Sequence, residues 1–480
     1  AYGAAHPGER IAGARNARGQ DIVAGFVLTS PLFWGFDRVL GKLVEGEESV
    51  CATRPRALTI PERGSNEFAV APSRSDDGHT RLLINSHQPW DGPVAWYEAA
   101  VSSDTGWRMQ GGVFPGAPFP LMGANGALGW APTVNEPDLA DLYGLHPDPP
   151  QRERYRFDGD WRAFEKETVW LQVRFGPVVI PVPRTLRFSV HGPVFETPDG
   201  WIAARYAGAG EIRMVEQYHR MGRARSFEEW RAALEMRAIA STNYVYADAT
   251  GRIALFYNAS LPSRAPGFDW SGCVPGDVSA TLWRRGDWAN APALIAPSSG
   301  WLYSANGTPF SATDPSADLD PANYPAELGV EMHMTNRGHR AVELLSPLPK
   351  ISEAQLLAAK FDVTYSARSS MREMVRDILA APDADLAPIQ DVLRRWDFRA
   401  HTDSREAALA LLAYAPIRRA QRLGEPAPSA TLTVREAART LEASFGRPDP
   451  PLGDALRLRR GDVDLPLEGG PDLLRASGWT

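Results

Sequence analysis

Apolar and polar positions change rhythm several times along this chain. The longest apolar stretch, Ile22 to Phe36, is broken by Thr29, Ser30 and Pro31 and flanked by Asp21 and Asp37. It is too short to span a bilayer and predicts a buried helix and turn. Glu45 to Arg63 is polar, charged and Pro-punctuated, the composition of a loop or spacer. From Ser65 onward, strand-like runs appear: Phe68-Ala69-Val70, Arg81 to Asn85, Val94 to Val101, Leu171 to Ile180 and Leu186 to Val190. Tyr244 to Asp248 and Ile253 to Tyr257, with a turn at Thr250-Gly251, predict a hairpin. Ser226 to Met236 reads as an amphipathic helix, with Ser226 as N-cap and Glu228-Glu229 in the first turn. Ser352 to Ala381 and Ser404 to Gln421 read as helices. Strands occupy the middle and helices the end, with no internal repeat.

Composition narrows this picture. The 480 residues are 44% hydrophobic and 23% charged, which is ordinary globular usage. A net charge of −7 and the lack of a basic cluster argue against nucleic acid. With 42 Gly, 41 Pro and 15 Trp, many turns and aromatic-lined surfaces are expected, not a long helical bundle. Two cysteines, Cys51 and Cys273, cannot form a metal cluster alone. They bridge in an oxidising compartment or stay as separate buried thiols, and both readings stand. The chain opens at Ala1 with neither an initiating Met nor a charged-then-apolar signal segment, which reads as a start in mid-sequence.

The chemistry centres on the run Gly64-Ser65-Asn66-Glu67-Phe68-Ala69-Val70-Ala71-Pro72. Gly-Ser-Asn is ordinary turn chemistry, and Phe68-Ala69-Val70 fits a core strand. The same run also fits a self-cleavage site. A cut between Gly64 and Ser65 exposes a serine carrying both nucleophile and base. Its hydroxyl attacks while its α-amine, with a pKa of about 7.7–8.0, accepts the proton.

Further motifs follow in order: Leu82-Leu83-Ile84-Asn85-Ser86-His87-Gln88-Pro89-Trp90, Phe114 to Val134, Trp301 to Pro309, and Thr335-Asn336-Arg337-Gly338-His339-Arg340. Together with the run at Ser65 they resemble the penicillin amidase family of N-terminal-nucleophile hydrolases, and are most similar to its acyl-homoserine lactone acylases. The resemblance covers about Gln20 to Leu474. It implies an α+β fold of four αββα layers with two stacked antiparallel sheets. It also implies an α-chain end at 1–45, a spacer at 46–64 removed or cut on maturation, and a β chain at 65–480 that stops short of its relatives. The two chains would form a heterodimer from one precursor.

By the same resemblance Ser65 is the nucleophile, His87 orients its amine or a water, and Arg337 helps hold the site's charge. The backbone N–H of Val134 and the side-chain amide of Asn306 are the oxyanion donors. Ser304 stands where relatives carry an Asn, and Gln88 where many carry an aromatic residue. Gln88, Phe119, Leu121, Met122 and Trp130 are the acyl-pocket candidates. Arg340 is expected to make a helix-surface pair, and His191, in the family's His-Gly-Pro turn, to be structural.

Asp138, Asp141 and Asp318 fall near the carboxylate positions of a calcium site in the penicillin acylases. A structural calcium or a solvated acidic turn are the two readings there. The chemistry itself needs no cofactor. The implied partner is a small acyl amide, the implied location periplasmic or secreted, and no membrane span is expected. The competing readings are a penicillin- or cephalosporin-type acylase, and a binding module that keeps the fold without cutting itself. A Ser-His-Asp hydrolase is disfavoured because no Gly-x-Ser-x-Gly elbow is found.

Overall fold

The structure, a computed structural model, describes residues 18–33, 36–45, 50–51, 64–92, 94–423 and 426–476. Most of the expected spacer therefore lies outside the described residues. The strand Gly64–Val70 is buried along its whole length and sits in the middle of a three-stranded sheet. Arg81–His87 flanks it on one side in antiparallel register, with Ser65 opposite Ser86 and Asn66 opposite Asn85. Trp301–Ser304 flanks it on the other side, but only as far as Glu67 opposite Ser304. Ser65 therefore lies past the end of that neighbour, where the ladder opens.

Period-two alternation divides this strand between two layers. Phe68 and Val70 face a helical layer, packing with Trp301, Tyr303, Ala341, Leu345 and Leu356. Ala69 faces the opposite way with Leu302, toward Val245, Ala247, Ile253 and Leu255. Those four residues belong to a seven-stranded sheet ordered Ala293–Ile295, Ile253–Ala259, Ser241–Asp248, Leu128–Thr133, Met122–Ala124, Arg108–Val113 and Tyr97–Ser102. Its far face carries Trp130, Tyr244, Tyr246 and Phe256 against Trp230 and Phe227 of the helix Phe227–Leu234. The succession of helix, sheet, sheet and helix is the expected four-layer α+β arrangement. Each buried large apolar side chain contributes about 1.5–3 kcal/mol to holding these layers together.

Several local expectations match. Ser226 caps its helix by accepting the Glu229 N–H, and Ser241–Asp248 pairs with Ile253–Ala259 as a hairpin. Others are corrected. Leu171 to Ile180 is not one strand. Glu165–Phe175 turns at Gly176-Pro177 into Val178–Ser189, an extended hairpin whose outer half exposes Trp170, Phe175 and Val178. Ser352 to Ala381 is two helices, Glu353–Lys360 and Ser370–Ala380, because Ser369 caps a second start. The helix Gly19–Phe33 is only half covered: Phe26 packs on the core while Leu28 is exposed. Cys51 and Cys273 are bridged, fastening the segment ahead of the strand Gly64–Val70 to the six-stranded sheet that contains Cys273–Pro275.

Candidate active site

Three polar residues in a row, Ser65, Asn66 and Glu67, open an otherwise apolar buried strand. Buried polar groups must be hydrogen-bonded or they destabilise the fold. The partners of these three residues define the site.

The backbone N–H of Ser65, itself 3% exposed, donates to Asn306 Oδ1 at 2.7 Å. Asn306 stands in the left-handed region, at φ 60°, in the turn that follows the strand Trp301–Ser304. Asn tolerates that conformation. The turn therefore presents the Asn306 amide to Ser65. One Asn306 Nδ2–H donates to the Val134 carbonyl at 2.7 Å, so the two expected oxyanion residues are bonded to each other. An amide nitrogen carries two hydrogens, and the second remains for a ligand.

Arg337, in the first turn of the helix Asn336–Leu345, is buried. Its Nη1 donates to the Ser65 carbonyl at 2.7 Å, to Asn66 Oδ1 at 2.9 Å and to Asn306 Oδ1 at 2.9 Å. A cation at a helix N-terminus is disfavoured by the dipole, and burial lowers the pKa of this guanidinium. Asp472 offsets both effects. It pairs with Arg337 Nε at 3.2 Å and accepts the Asn336 N–H at 2.8 Å. Asp472 was not among the expected site residues. Its only signal in the sequence was an acidic residue in the Gly-Gly-Pro-Asp run near the chain's end.

His87 touches the site from the helical side. Asn66 Nδ2 approaches its Nε2 at 3.1 Å and Asn85 Nδ2 at 3.3 Å. Asn66 also donates to the Leu474 carbonyl and accepts from Arg337, which fixes its amide orientation. His87 Nε2 is thereby assigned as the acceptor and Nδ1 as the protonated nitrogen. Burial, then the charges of Arg337 and Lys360, push its pKa down to about 3, so the ring is neutral. Its Nδ1 faces Gly64: a Cβ there would lie 3.2 Å from that nitrogen and 3.3 Å from Arg337 Nη2. Glycine at 64 thus leaves room for both side chains.

Glu67 lies on Ser65's own face of the strand and is fully buried. It accepts the Asn85 N–H and the Ser86 hydroxyl, and burial raises its pKa well above the ordinary carboxyl value.

The acyl-pocket candidates divide. Met122 meets Ser86, which stands opposite Ser65. Gln88 follows His87 at the strand's end, with its Oε1 buried and unpartnered. Leu121 is buried beside Met122, and Phe119 packs near Trp107 and His219. Trp130 sits on the far face of the seven-stranded sheet against Trp230, so the structure does not bring it to Ser65. Arg340 pairs with Asp362 and Glu343, and His191 stacks on Tyr143, both as expected.

The carboxylates of the calcium reading meet other charges here. Arg264, with its side chain 1% exposed, donates to both carboxylate oxygens of Asp141 and pairs with Asp138 at 3.1 Å. Asp318 stands apart, capping the Ala312 and Thr313 N–H groups. Among the described residues no group of three or more His, Cys, Asp or Glu side chains could hold a metal ion. A guanidinium already fills the place a cation would need, so the donor set does not fit calcium.

Comparison with known proteins bears on the family and the fold. The family model described as penicillin amidase matches residues 9–459. The acyl-homoserine lactone acylase PvdQ of Pseudomonas fluorescens is 26% identical over 88% of this chain and 61% of its own length. Aculeacin-A acylase of Actinoplanes utahensis is 26% identical over 85% of this chain and 59% of its own. The chain thus spans about three fifths of the length of these curated relatives. The solved thermostable penicillin G acylase of Alcaligenes faecalis shares the fold, with a TM-score of 0.60 and 17% identity over 87% of this chain and 84% of that one.

Proposed function

The chain belongs to the penicillin amidase family, and from that membership we propose that it is a self-cleaving N-acyl amide hydrolase with Ser65 as nucleophile. The observation that carries this reading is the Ser65 nitrogen held on Asn306 Oδ1 while Arg337 grips both Asn306 and the Ser65 carbonyl.

Maturation begins when Ser65 Oγ attacks the Gly64 carbonyl carbon. The Gly64–Ser65 C–N bond breaks as its nitrogen takes up a proton, leaving an ester on Oγ. Water hydrolyses that ester, freeing the Gly64 carboxylate and the Ser65 α-amine. In turnover the amine accepts the Oγ proton as Oγ attacks the substrate amide. The Val134 N–H and the second Asn306 N–H stabilise the oxyanion, a contribution of about 3 kcal/mol per fixed donor. The departing amine takes the proton, and water then hydrolyses the acyl-enzyme. Asn306 Oδ1 orients the amine, and neutral His87 orients Asn66 and the Gly64 side of the site. No cofactor enters these steps.

Met122 beside Ser86 supports an apolar acyl group, and an N-acyl-homoserine lactone or similar acyl amide is the proposed substrate. The disulfide supports a periplasmic or secreted location. No described helix is long and apolar enough to cross a membrane.

The test is intact mass and N-terminal sequencing of the expressed chain beside Ser65→Ala. The expected outcome is a new N-terminus at Ser65 in the wild type alone, followed by activity on an acyl amide panel. A stable, uncut wild type would favour the binding-module reading instead.

A further inference from the structure

The turn Val134–Glu136 is held at every residue, each time by a different neighbour. The Val134 carbonyl accepts from Asn306. The Asn135 side chain accepts the Ser241 hydroxyl at 2.5 Å and donates to the Asn258 carbonyl at 3.1 Å. The Glu136 N–H donates to Glu331 Oε1 at 3.1 Å. Glu331 Oε2 in turn receives the hydroxyl of Tyr257, which is fully buried on the strand Ile253–Ala259.

Glu331 is the one titratable clamp among these, and the proposed chemistry leaves it unused. We propose that Glu331 is a positioning residue: its carboxyl group anchors the turn that aims the Val134 N–H, and so sets the alkaline limit of the reaction. The role at Val134 rests on the hydrolase reading above.

The surroundings explain why a carboxyl group at this place can switch. Glu331 is 9% exposed and meets no cation. The titratable groups acting on it are the Tyr257 hydroxyl, which favours the anion through its hydrogen bond, and the like charge of Glu136, which opposes it. Arg418, on the helix Ala407–Leu423, acts on Glu136. Burial is the largest influence and pushes the Glu331 carboxyl up to about 7. Below that value the group is neutral and tolerates its dry site. Above it, an anion faces Glu136 without a counter-ion and must draw in water or swing outward. The Glu136 N–H itself favours the anion, but burial outweighs it, so either response draws the carboxylate off that N–H and loosens the segment.

The experiment compares the full chain with Glu331→Gln and Glu331→Ala at about pH 6 and about pH 8.5, on either side of that value. Amide hydrogen exchange is read on the peptide covering residues 133–137, corrected for intrinsic exchange. Hydrolysis of a chromogenic acyl anilide is followed in parallel. Wild-type exchange is expected to quicken about tenfold at the higher pH. Glu331→Ala should exchange quickly at both, and Glu331→Gln slowly at both. In hydrolysis, Glu331→Ala should lose about tenfold in kcat with KM little changed. Glu331→Gln should restore kcat and move the alkaline limb upward.

Equal exchange in all three proteins would overturn the proposal, as would an alkaline limb unmoved by Glu331→Gln. Exchange needs no turnover. A chain that neither cuts itself nor hydrolyses the anilide therefore sinks the hydrolase reading, while the exchange data still decide whether Glu331 holds the turn.

Discussion

At the scale of single residues, the site is a chain of buried charge resolved by one carboxylate. Arg337 bonds three oxygens around Ser65, and Asp472 neutralises it from 135 positions further along the chain. Asp472→Asn keeps the shape and removes the charge. It is expected to cost about 3–5 kcal/mol in urea unfolding and to slow the cut before Ser65, because a buried guanidinium loses its close counter-ion. Retained stability with normal cutting would show that neither Arg337 nor Arg418, 3.6 Å from Asp472, needs that negative charge. Glu67 makes the opposite case, a buried carboxyl with neutral donors only. Its raised pKa means that its stabilising contribution is full below the ordinary carboxyl value. That contribution is lost as pH rises toward the folded-state value. Glu67→Gln should therefore melt at least about 2 °C above the wild type at pH 8 and close to it at pH 5, read by thermal scans. Equal melting at both pH values would mean that water already solvates Glu67.

At the scale of elements, loops and strand ends are fixed by partners on other elements. Arg264 joins the start of the strand Ala140–Leu145 to the segment after Pro262–Ser263, and Trp283 adds a 2.7 Å bond to Asp141. Arg264→Met leaves two carboxylates facing each other without their cation. A loss of about 3–5 kcal/mol in denaturant unfolding is expected. Excess chelator or excess calcium should leave the wild-type melting temperature unchanged. A clear rise with calcium would mean that the ion displaces Arg264.

At the scale of the whole molecule, the disulfide crosses the proposed cut. Cys51 precedes Gly64 and Cys273 follows it, separated by 222 residues. Val50 beside it is buried against Leu142 and Ile202. After cutting before Ser65, the two pieces should run together on a non-reducing gel and separate with reductant. A light piece lost without reductant would place a second cut after Cys51. Closing so long a loop contributes about 5 kcal/mol in the chain-entropy account, so reduction of the uncut chain should lower its melting temperature.

Much of this was legible in the order of residues. Alternation gave the strand at Phe68, the Tyr244 hairpin and the capped helix at Ser226, since these depend on neighbours within a few positions. The Gly176-Pro177 turn was also written there, but the apolar residues on both sides masked it. The motif order pointed to Ser65, Asn306 and Arg337, and the structure brings them together. What the chain could not declare was pairing at a distance. That Asp138 and Asp141 meet Arg264, that Trp130 faces the far helix and not Ser65, and that Asp472 reaches Arg337 came only from stacking the two sheets. Periodicity reports which face of an element is buried. The partner across a buried face depends on how layers register in three dimensions, and a charge excluded from water must find that partner wherever the chain places it.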